Sequence, residues 1–357
     1  MPVGEQYKLV NPSALPDPET SELPNGVFKT VKDAVKSGPG VPIVLLPGVY
    51  EEVLLIEGGE QLVGLKAARV LLAEGGGEDL PELKEGEEDG ECVILGTSFH
   101  TVSFLGDGTL EGLTIRQRGS GKWFGVHCAS GSPVIKGCVL DGATSSCLGV
   151  CGGATPAVND CTIQHSFTGC GVCVFDGGLG TFEGNTITDN SRSGVEASGE
   201  ETSVTLTNNA IFKNHGDGVL LCDKASCTMT GNKVYNNWHC GVEARDEATL
   251  TAEENEVTAN NFGVLVGRQA TAQLTGNTVH GNFFTGIDVS KRNKDKEDDE
   301  AVTTIANNSV KYNLECGVKL WFDAAAKLDG NTVYANLQEI KLTPRSRRHV
   351  EYGKVEE

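Results

Sequence analysis

The stretch Asn185-Thr186-Ile187-Thr188-Asp189-Asn190-Ser191-Arg192-Ser193-Gly194-Val195 is one copy of a motif that recurs through the second half of the chain. The motif reads Asn, any residue, Val or Ile, two residues, Asn, usually three residues, then Gly-Val or Gly-Ile. Later copies begin 24, 23, 23, 22, 31 and 23 residues apart, at Asn209, Asn232, Asn255, Asn277, Asn308 and Asn331. So regular a period is typical of a solenoid, in which each repeat stacks on its neighbours.

Within each repeat, apolar residues alternate with polar ones in short runs that end at Gly or Asn. The runs Thr271–Thr275, Thr278–His280 and Gly286–Val289 form one such set. A period of two is typical of β-strands, whereas a helix needs apolar residues three or four positions apart. Three strands and three turns in 22–24 residues predict one coil of a parallel β-helix, with neighbouring coils about 4.8 Å apart.

The two Asn residues of the motif recur at fixed phase, so we predict that they form two internal ladders. An inward Asn side chain can hydrogen-bond to the Asn stacked on it in the next coil. Asn also tolerates the left-handed backbone that sharp corners need. Cys161, Cys138 and Leu113 occupy the first ladder position in earlier coils. The Asn residues are therefore interpreted as structural, in ladders at Asn185, Asn209, Asn232, Asn255, Asn277, Asn308 and Asn331, and at Asn190, Asn214, Asn237, Asn260, Asn282, Asn313 and Asn336.

Composition limits the class of protein and its partners. The chain has 357 residues and a net charge of −20 without a basic stripe, which argues against nucleic-acid binding. Most of its 12 Cys lie at core or strand positions of the repeat, and the chain starts without an apolar signal segment. We therefore expect reduced thiols and a cytoplasmic location. No apolar run is long enough to cross a membrane, and no cofactor or metal ion is predicted.

The repeat places one long β-helical domain between two irregular ends. We predict an irregular lead-in, a β-helix and a basic tail, at residues 1–27, 28–342 and 343–357. Two charged insertions, 74–91 and 291–300, are predicted to be loops, and the second accounts for the 31-residue step. The amphipathic stretch Phe28–Val35 is predicted to form a short N-terminal helix that caps the open end of the coil.

Three stretches near the N-terminus, together with the Asn repeats, resemble a known group of proteins. Phe28–Val35, Leu46–Glu52 and Leu62–Gly64 look like the opening of right-handed parallel β-helix proteins. The repeats resemble the carbohydrate-binding and sugar-hydrolase (CASH) group, and within it the β-helix of F-box substrate-receptor proteins. The resemblance implies an all-β fold, a right-handed single-stranded parallel β-helix. It leaves the function open, because the group contains lyases, esterases, epimerases and non-catalytic binding modules.

Several signatures found within that group are missing. The 27 residues ahead of the coil are too few for a helical F-box segment. The Asp-Pro-His-Asp signature of mannuronan epimerases is absent, as is the paired-Asp plus Gly-His-Gly arrangement of polygalacturonases. These departures favour binding over catalysis.

The Gly-Val strand of each coil is where we look for a site. If its Val points inward, the next residue points outward, and so does the residue two positions later. The first outward column begins with His127, Cys151 and Cys173, which are residue types that can bind zinc, but no fourth ligand is evident. The two outward columns are His127, Cys151, Cys173, Glu196, Leu220, Glu243, Leu265, Asp288 and Lys319, and Phe175, Ser198, Cys222, Arg245, Gly267, Ser290 and Trp321.

Four of these residues are the candidate catalytic groups if the protein is an enzyme. The carboxylates of Glu243 and Asp288 lie two coils apart, about 9–10 Å at the strand spacing, near the separation of an inverting glycosidase pair. Arg245 and Lys319 would neutralise the carboxylate of a uronate sugar. The opposing interpretation is that a solvent-facing strand of an acidic protein carries Glu and Asp in any case.

The candidate binding residues lie on the same strand face and on the turn that precedes it. Trp321 could stack on a sugar ring, and Glu196 continues the acidic column. The turn contributes exposed aromatic and His side chains along one edge. The turn residues are Trp238, His239, Phe283 and Phe284.

Two functions remain open from the sequence. The main prediction is a non-catalytic β-helix binding module that presents its strand face and aromatic turn edge to a protein or glycan partner. The alternative is a carbohydrate-active enzyme, a polysaccharide lyase, hydrolase or epimerase, that acts on an acidic glycan. A raised carboxylate pKa among the four catalytic candidates would favour the enzyme.

Overall fold

The computed structural model describes residues 7–13, 23–74, 90–267, 269–291, 302–322, 324–343, 350–352 and 355–356. The chain is an all-β right-handed parallel β-solenoid of about 12 turns, and only 4% of it is helical. The predicted fold class is thus confirmed. No helix within these ranges is long and apolar enough to span a membrane. The predicted loops at 74–91 and 291–300 and the tail after 343 lie largely outside the described residues, and the predicted domain boundaries stay predictions.

The chain divides into two compact units, Met1–Phe167 and Thr168–Glu357. Both are built from coils of three parallel strands, and we name the strands of a coil A, B and C in chain order. In the first unit, sheet A contains Val27–Phe28, Lys8–Val10, Ile43–Leu45, Glu60–Gly64, Gly108–Glu111, Val134–Lys136 and Ala157–Asn159. Sheet B contains Gly48–Tyr50, Cys92–Gly96, Thr114–Gln117, Val139–Asp141 and Thr162–Gln164. Sheet C contains Leu54–Ile56, Val102–Phe104, Val126–Cys128 and Leu148–Val150.

The second unit repeats this design with more regular coils. Its A strands are Leu179–Glu183, Ser203–Thr207, Ser226–Thr230, Thr249–Glu253, Thr271–Thr275, Val302–Ala306, Ala325–Asp329 and Val350–Tyr352. Its B strands are Thr186–Thr188, Ala210–Phe212, Lys233–Tyr235, Glu256–Thr258, Thr278–His280, Ser309–Lys311, Asn331–Tyr334 and Val355–Glu356. Its C strands are Val172–Phe175, Val195–Ser198, Val219–Cys222, Cys240–Ala244, Phe262–Gly267, Ile287–Lys291, Cys316–Phe322 and Gln338–Leu342.

Two short helices belong to the first unit. Helix α1 (Val31–Lys36) begins after Thr30, whose hydroxyl accepts a hydrogen bond from the Asp33 N–H at 3.1 Å. The Glu52 carboxylate accepts the Val31 N–H at 2.9 Å, so the free donors of the first turn are satisfied. A helix is therefore present near the predicted position, but it starts three residues later. Helix α2 (Leu65–Glu74) was not predicted.

The core of each coil consists of the alternate residues that the strand pattern turns inward. In one coil of the second unit, Val204, Leu206, Ile211, Val219 and Leu221 are all at most 1% exposed. Burying a side chain of this size contributes about 1.5–3 kcal/mol relative to leaving it in water. The same position in successive coils repeats this arrangement, so the apolar column holds the stack together.

The two Asn ladders form as predicted, and all their members are buried except the partly buried Asn336 at the end of the second. In the first, Asn209 Nδ2 donates to Asn232 Oδ1 at 2.9 Å, and the Asn209 N–H donates to the same oxygen at 2.9 Å. Asn209 Nδ2 also donates to the Phe182 carbonyl at 2.9 Å. The second ladder repeats this pattern, for example from Asn214 to Asn237 at 3.0 Å. Because each amide bonds to the coil before and the coil after, the ladders fix the register.

The ladder Asn residues do not adopt the left-handed backbone, and that expectation was wrong. The residue immediately before each ladder position takes the positive φ instead, for example Asn208 at 53°, Lys213 at 55°, Glu254 at 55° and Ala259 at 54°. The corner therefore lies one residue earlier in the coil. This leaves the ladder Asn free to turn its side chain inward.

Candidate functional site

The outward column of the second unit is the predicted one. Sheet C pairs Cys173 with Glu196, Glu196 with Leu220, and so on through Glu243, Leu265, Asp288 and Lys319. In the first unit the prediction was wrong by two residues, because Gly149 and not Cys151 lies opposite His127. Cys151 nevertheless remains beside His127, with its Sγ 3.4 Å from His127 Nε2.

Asp288 and Lys319 lie on adjacent strands and form the most buried charged pair of the site. Each is only 6% exposed, and Lys319 Nζ lies 4.0 Å from Asp288 Oδ2. Lys319 Nζ also donates to Glu315 Oε1 at 3.1 Å. The same ammonium lies 3.8 Å from the centre of the Trp321 ring, a cation–π contact. The sequence placed Asp288, Lys319 and Trp321 on this face but did not single out Glu315.

The pKa of the Asp288 carboxyl is raised from 3.8 to about 6. Burial is the main cause, because it penalises the charged form. The Lys319 ammonium and the Trp321 indole oppose this rise, while the negative charge of Glu315 adds to it. The Trp321 Nε1–H is buried and close enough to influence the carboxyl, but its geometry does not complete a hydrogen bond with any described residue. Asp288 can therefore change its protonation state near neutral pH.

Glu243 and Arg245 form the second half of the predicted set. Arg245 Nε lies 3.7 Å from Glu243 Oε1 and 3.8 Å from Asp246 Oδ2. Neither distance is a hydrogen bond, and among the described residues the buried Arg245 Nε–H has no hydrogen-bond acceptor. The guanidinium is thus held among carboxylates with donor capacity to spare.

Two residues missed by the sequence analysis, Asp217 and Cys240, lie beside this pair. Asp217 Oδ1 accepts the Cys240 N–H at 2.9 Å, and burial raises the pKa of the Asp217 carboxyl. Burial and the neighbouring carboxylates of Asp217 and Glu243 also raise the pKa of the Cys240 thiol. Both residues directly precede the Gly of the Gly-Val motif, so their shared position in the repeat would have been enough to identify them from the sequence.

Asp217, Cys240 and Glu243 are also the residues that could hold a metal ion. Their ligand atoms all lie within 4.8 Å of one another. The Arg245 guanidinium beside them already supplies positive charge, and it opposes a cation at the same place. The carboxylates therefore already have a counter-charge in Arg245, which makes a metal ion at this place less favourable.

The other predicted binding residues lie on the turn edge or further along the column. Trp238 is 66% exposed and stacks on His215 at 5.0 Å between ring centres. Phe283 is 59% exposed and meets Phe284 edge-on at 4.9 Å. His239 follows Trp238 on the same turn, and its N–H donates to the Gly216 carbonyl at 3.1 Å. Glu196 lies two coils before Glu243, where its carboxylate accepts a hydrogen bond from the Cys170 thiol at 3.1 Å.

Comparisons with known proteins agree with this fold. A family model described as a right handed beta helix region matches residues 146–298. No curated protein sequence is detectably similar to the chain. Among solved structures, the Azotobacter vinelandii mannuronan C-5 epimerase AlgE6 A-module has a TM-score of 0.67 at 16% identity, covering 97% of this chain and 96% of that one. The periplasmic alginate epimerase AlgG has a TM-score of 0.59 at 15% identity, covering 88% and 76%. Pectate lyase Pel9A has a TM-score of 0.51 at 14% identity, covering 98% and 79%.

These comparisons correct the main functional prediction from the sequence. The similar structures are enzymes named for polysaccharides, so the prediction of a non-catalytic binding module was wrong and its enzymatic alternative is better supported. The resemblance to F-box receptors and the cytoplasmic location stay predictions. At these identities, the comparisons show that the chain has the right-handed parallel β-helix fold.

Proposed function

We propose that the protein is a carbohydrate-active enzyme that acts on an acidic polysaccharide, with Asp288 as its proton-transfer group. The observation that carries the proposal is the buried Asp288–Lys319 pair, in which a carboxyl with a pKa of about 6 lies beside an ammonium group. A carboxyl that titrates near neutral pH can accept a proton in one step and return it in another. The similar enzymes named above support this class of substrate.

The cations favour an acidic sugar. Lys319 and Arg245 both lie on the strand face. The Arg245 side chain is 31% exposed, so the accessible part of its guanidinium can form a charge-assisted bond with a uronate carboxylate, which is stronger than its bond with a neutral sugar hydroxyl. Neutralising a uronate carboxylate also makes the adjacent C–H more acidic, because it stabilises the charge that develops when the proton leaves.

The reaction we propose therefore starts with proton abstraction next to the uronate carboxylate. The Asp288 carboxylate takes the proton, and the electron pair of the C–H bond moves toward the sugar carboxylate. If the neighbouring glycosidic oxygen then leaves and takes the proton from protonated Asp288, the enzyme is a lyase. If a water molecule instead protonates the carbon from the opposite face, it is an epimerase. Asp288 is only 6% exposed, so a substrate reaches it only after the half-buried Glu315 or Trp321 side chain moves.

Solvent-deuterium exchange tests this step directly. The protein is incubated in D₂O with polygalacturonate or polymannuronate, and deuterium at the carbon next to the carboxylate is measured by NMR, along with unsaturated products. We expect incorporation or an unsaturated product with the native chain, loss of both with D288N, and no loss with E253Q, which changes an exposed Glu of sheet A. Absence of both signals from the native chain on every uronate polymer tested would overturn the proposal.

A further inference from the structure

The first unit contains a cavity of about 760 Å³ that the proposed reaction does not use. It lies between helix α1 and sheet C, and its volume is within the range of about 300–1,000 Å³ found for small-molecule sites. Its lining combines aliphatic, charged, polar and aromatic side chains. The residues of the lining used here are Lys32, Lys36, Glu57, Glu60, Phe99, His100 and Ser103.

The cavity offers an aromatic surface that is already fixed in place. Phe99 is 56% exposed although it is a large apolar residue. Its ring lies 4.8 Å from the Trp123 ring, and Trp123 in turn meets His100 edge-on at 5.3 Å. An exposed aromatic ring held by its neighbours loses little conformational freedom when a ligand stacks on it.

Hydrogen-bond donors line the same cavity. His100 Nδ1 accepts the Phe124 N–H at 2.9 Å, so in the neutral ring the proton is on Nε2. Burial, with a contribution from the nearby His127, lowers the His100 pKa to about 4, so the ring is neutral at pH 7. Ser103 adds a hydroxyl. His100 and Ser103 therefore offer neutral donors to a ligand.

The charged residues of the lining favour an anionic ligand. Lys32 and Lys36 project from the exposed side of α1, and within the described part of the chain neither ammonium has an ion-pair partner. Glu57 and Glu60 supply two carboxylates to the lining, which can accept hydrogen bonds from sugar hydroxyls. Glu60 is buried, accepts the Gly58 N–H at 3.0 Å and interacts with the Lys8 ammonium, so only Glu57 opposes the charges of the two lysines. An aromatic platform with both donors and acceptors suits a sugar ring, and the two free ammonium groups suit a carboxylate on it.

We propose that this cavity is a second ligand site, which binds a short anionic saccharide through Phe99, Lys32 and Lys36. It lies entirely within residues 32–103, so it does not depend on the proposed reaction of the second unit. Binding without turnover is its expected behaviour.

Tryptophan fluorescence can report on this cavity alone. The chain has three Trp residues, and W238F with W321F leaves only Trp123, next to Phe99. D288N is added so that the ligand is not consumed. Titration with trigalacturonate is expected to change Trp123 emission until the change saturates. Neutral maltotriose is expected to bind at least about tenfold more weakly, because it cannot form the charge-assisted contact.

Point variants then locate the site. F99A and K32A/K36A are expected to weaken trigalacturonate binding about tenfold, while K29A, an exposed Lys on the same segment outside the lining, leaves it unchanged. Calorimetry on the otherwise native chain checks that the tryptophan changes did not create or remove the site. Equal affinity for both saccharides, no weakening by K32A/K36A relative to K29A, or no saturable binding by calorimetry would each overturn the proposal. Trigalacturonate binding reported by Trp123, in a protein that shows no polymer turnover, would support this proposal and contradict the enzymatic one.

Discussion

Lys319 Nζ lies 4.0 Å from Asp288 Oδ2, and both side chains are more than nine-tenths buried. At this distance the two charges are too far apart for a hydrogen bond but close enough to interact strongly in a buried environment. The ammonium hydrogen-bonds to Glu315 instead. The ammonium therefore only partly offsets the cost of burying a negative charge on Asp288, and the pKa of the Asp288 carboxyl rises to about 6.

We predict an acid limb near pH 6 in the activity profile. Asp288 must be deprotonated to accept a proton, so kcat/KM should rise as pH increases through about 6. K319M removes the main influence that lowers the Asp288 pKa, so the limb should move to higher pH. The measurement is kcat/KM on polygalacturonate or polymannuronate from pH 4 to about 9. K233M changes an exposed Lys of sheet B and should leave the pH of the limb unchanged. If K319M also left it unchanged, Lys319 would not be the group that lowers the Asp288 pKa.

A second prediction concerns stability. In the folded protein Asp288 holds its proton up to about pH 6, whereas in the unfolded chain it loses it near 3.8. The folded state therefore binds more protons between these values, and the contribution of Asp288 to stability falls as pH rises through that window. D288N removes this penalty, so at pH 7 the variant should be more stable by at most about 3 kcal/mol while losing activity. Urea denaturation at pH 4 and pH 7 measures the effect, and a D288N chain less stable than native at pH 7 would contradict it.

The recurrence of Asn232 as Asn255, 23 residues later, was enough to predict both the coil and the outward column of the second unit, because register in a stack of equal coils follows from the period. The error at Cys151 has a different origin. Val126 pairs with Leu148 and Cys128 pairs with Val150, so the Gly149-Val150 pair lies two residues out of phase with Gly125-Val126. Where a Gly-Val pair is out of phase, counting from it gives the wrong partner.

The electrostatics of the site could not be read from the sequence in the same way. The raised Asp288 pKa depends on how deeply Lys319, Glu315 and Trp321 bury it, and burial is a property of the packed coils. The cavity beside Phe99 depends on where α1 packs, which the repeat does not specify because α1 precedes it. The features missed are those that depend on contacts between parts of the chain with no common period.

The Gly of the Gly-Val motif is predicted to be required for close packing of coils. A Cβ at Gly241 would lie 2.4 Å from Val257 Cγ1 and 2.8 Å from both Asn260 Nδ2 and the Gly263 carbonyl. G241A should therefore destabilise the protein by about 1–3 kcal/mol, because backbone and ladder atoms must shift. G58A is the matched control, since a Cβ there meets nothing within 4 Å and its φ is ordinary. Its stability in urea should be unchanged or slightly higher, and equal losses in the two variants would exclude packing as the reason for the motif.

The Asn ladders are predicted to contribute more to stability than their number of hydrogen bonds suggests. Asn237 is 3% exposed, donates to Asn260 Oδ1 at 3.1 Å and accepts from Asn214 Nδ2 at 3.0 Å. N237A removes these bonds together with the one from the Asn214 N–H to Asn237 Oδ1 at 3.1 Å, so two buried donors of Asn214 lose an acceptor, at about 1–3 kcal/mol for each. Asn260 Oδ1 keeps the Asn237 N–H as its donor. We expect a loss of at least about 3 kcal/mol in the free energy of unfolding, measured by urea denaturation. N261A changes an exposed Asn outside the ladder, whose Nδ2 donates to the Trp238 carbonyl. Since that carbonyl can bond to water instead, N261A should cost less than about 1 kcal/mol, and a loss as large as that of N237A would show that the ladder is not what holds the coils in register.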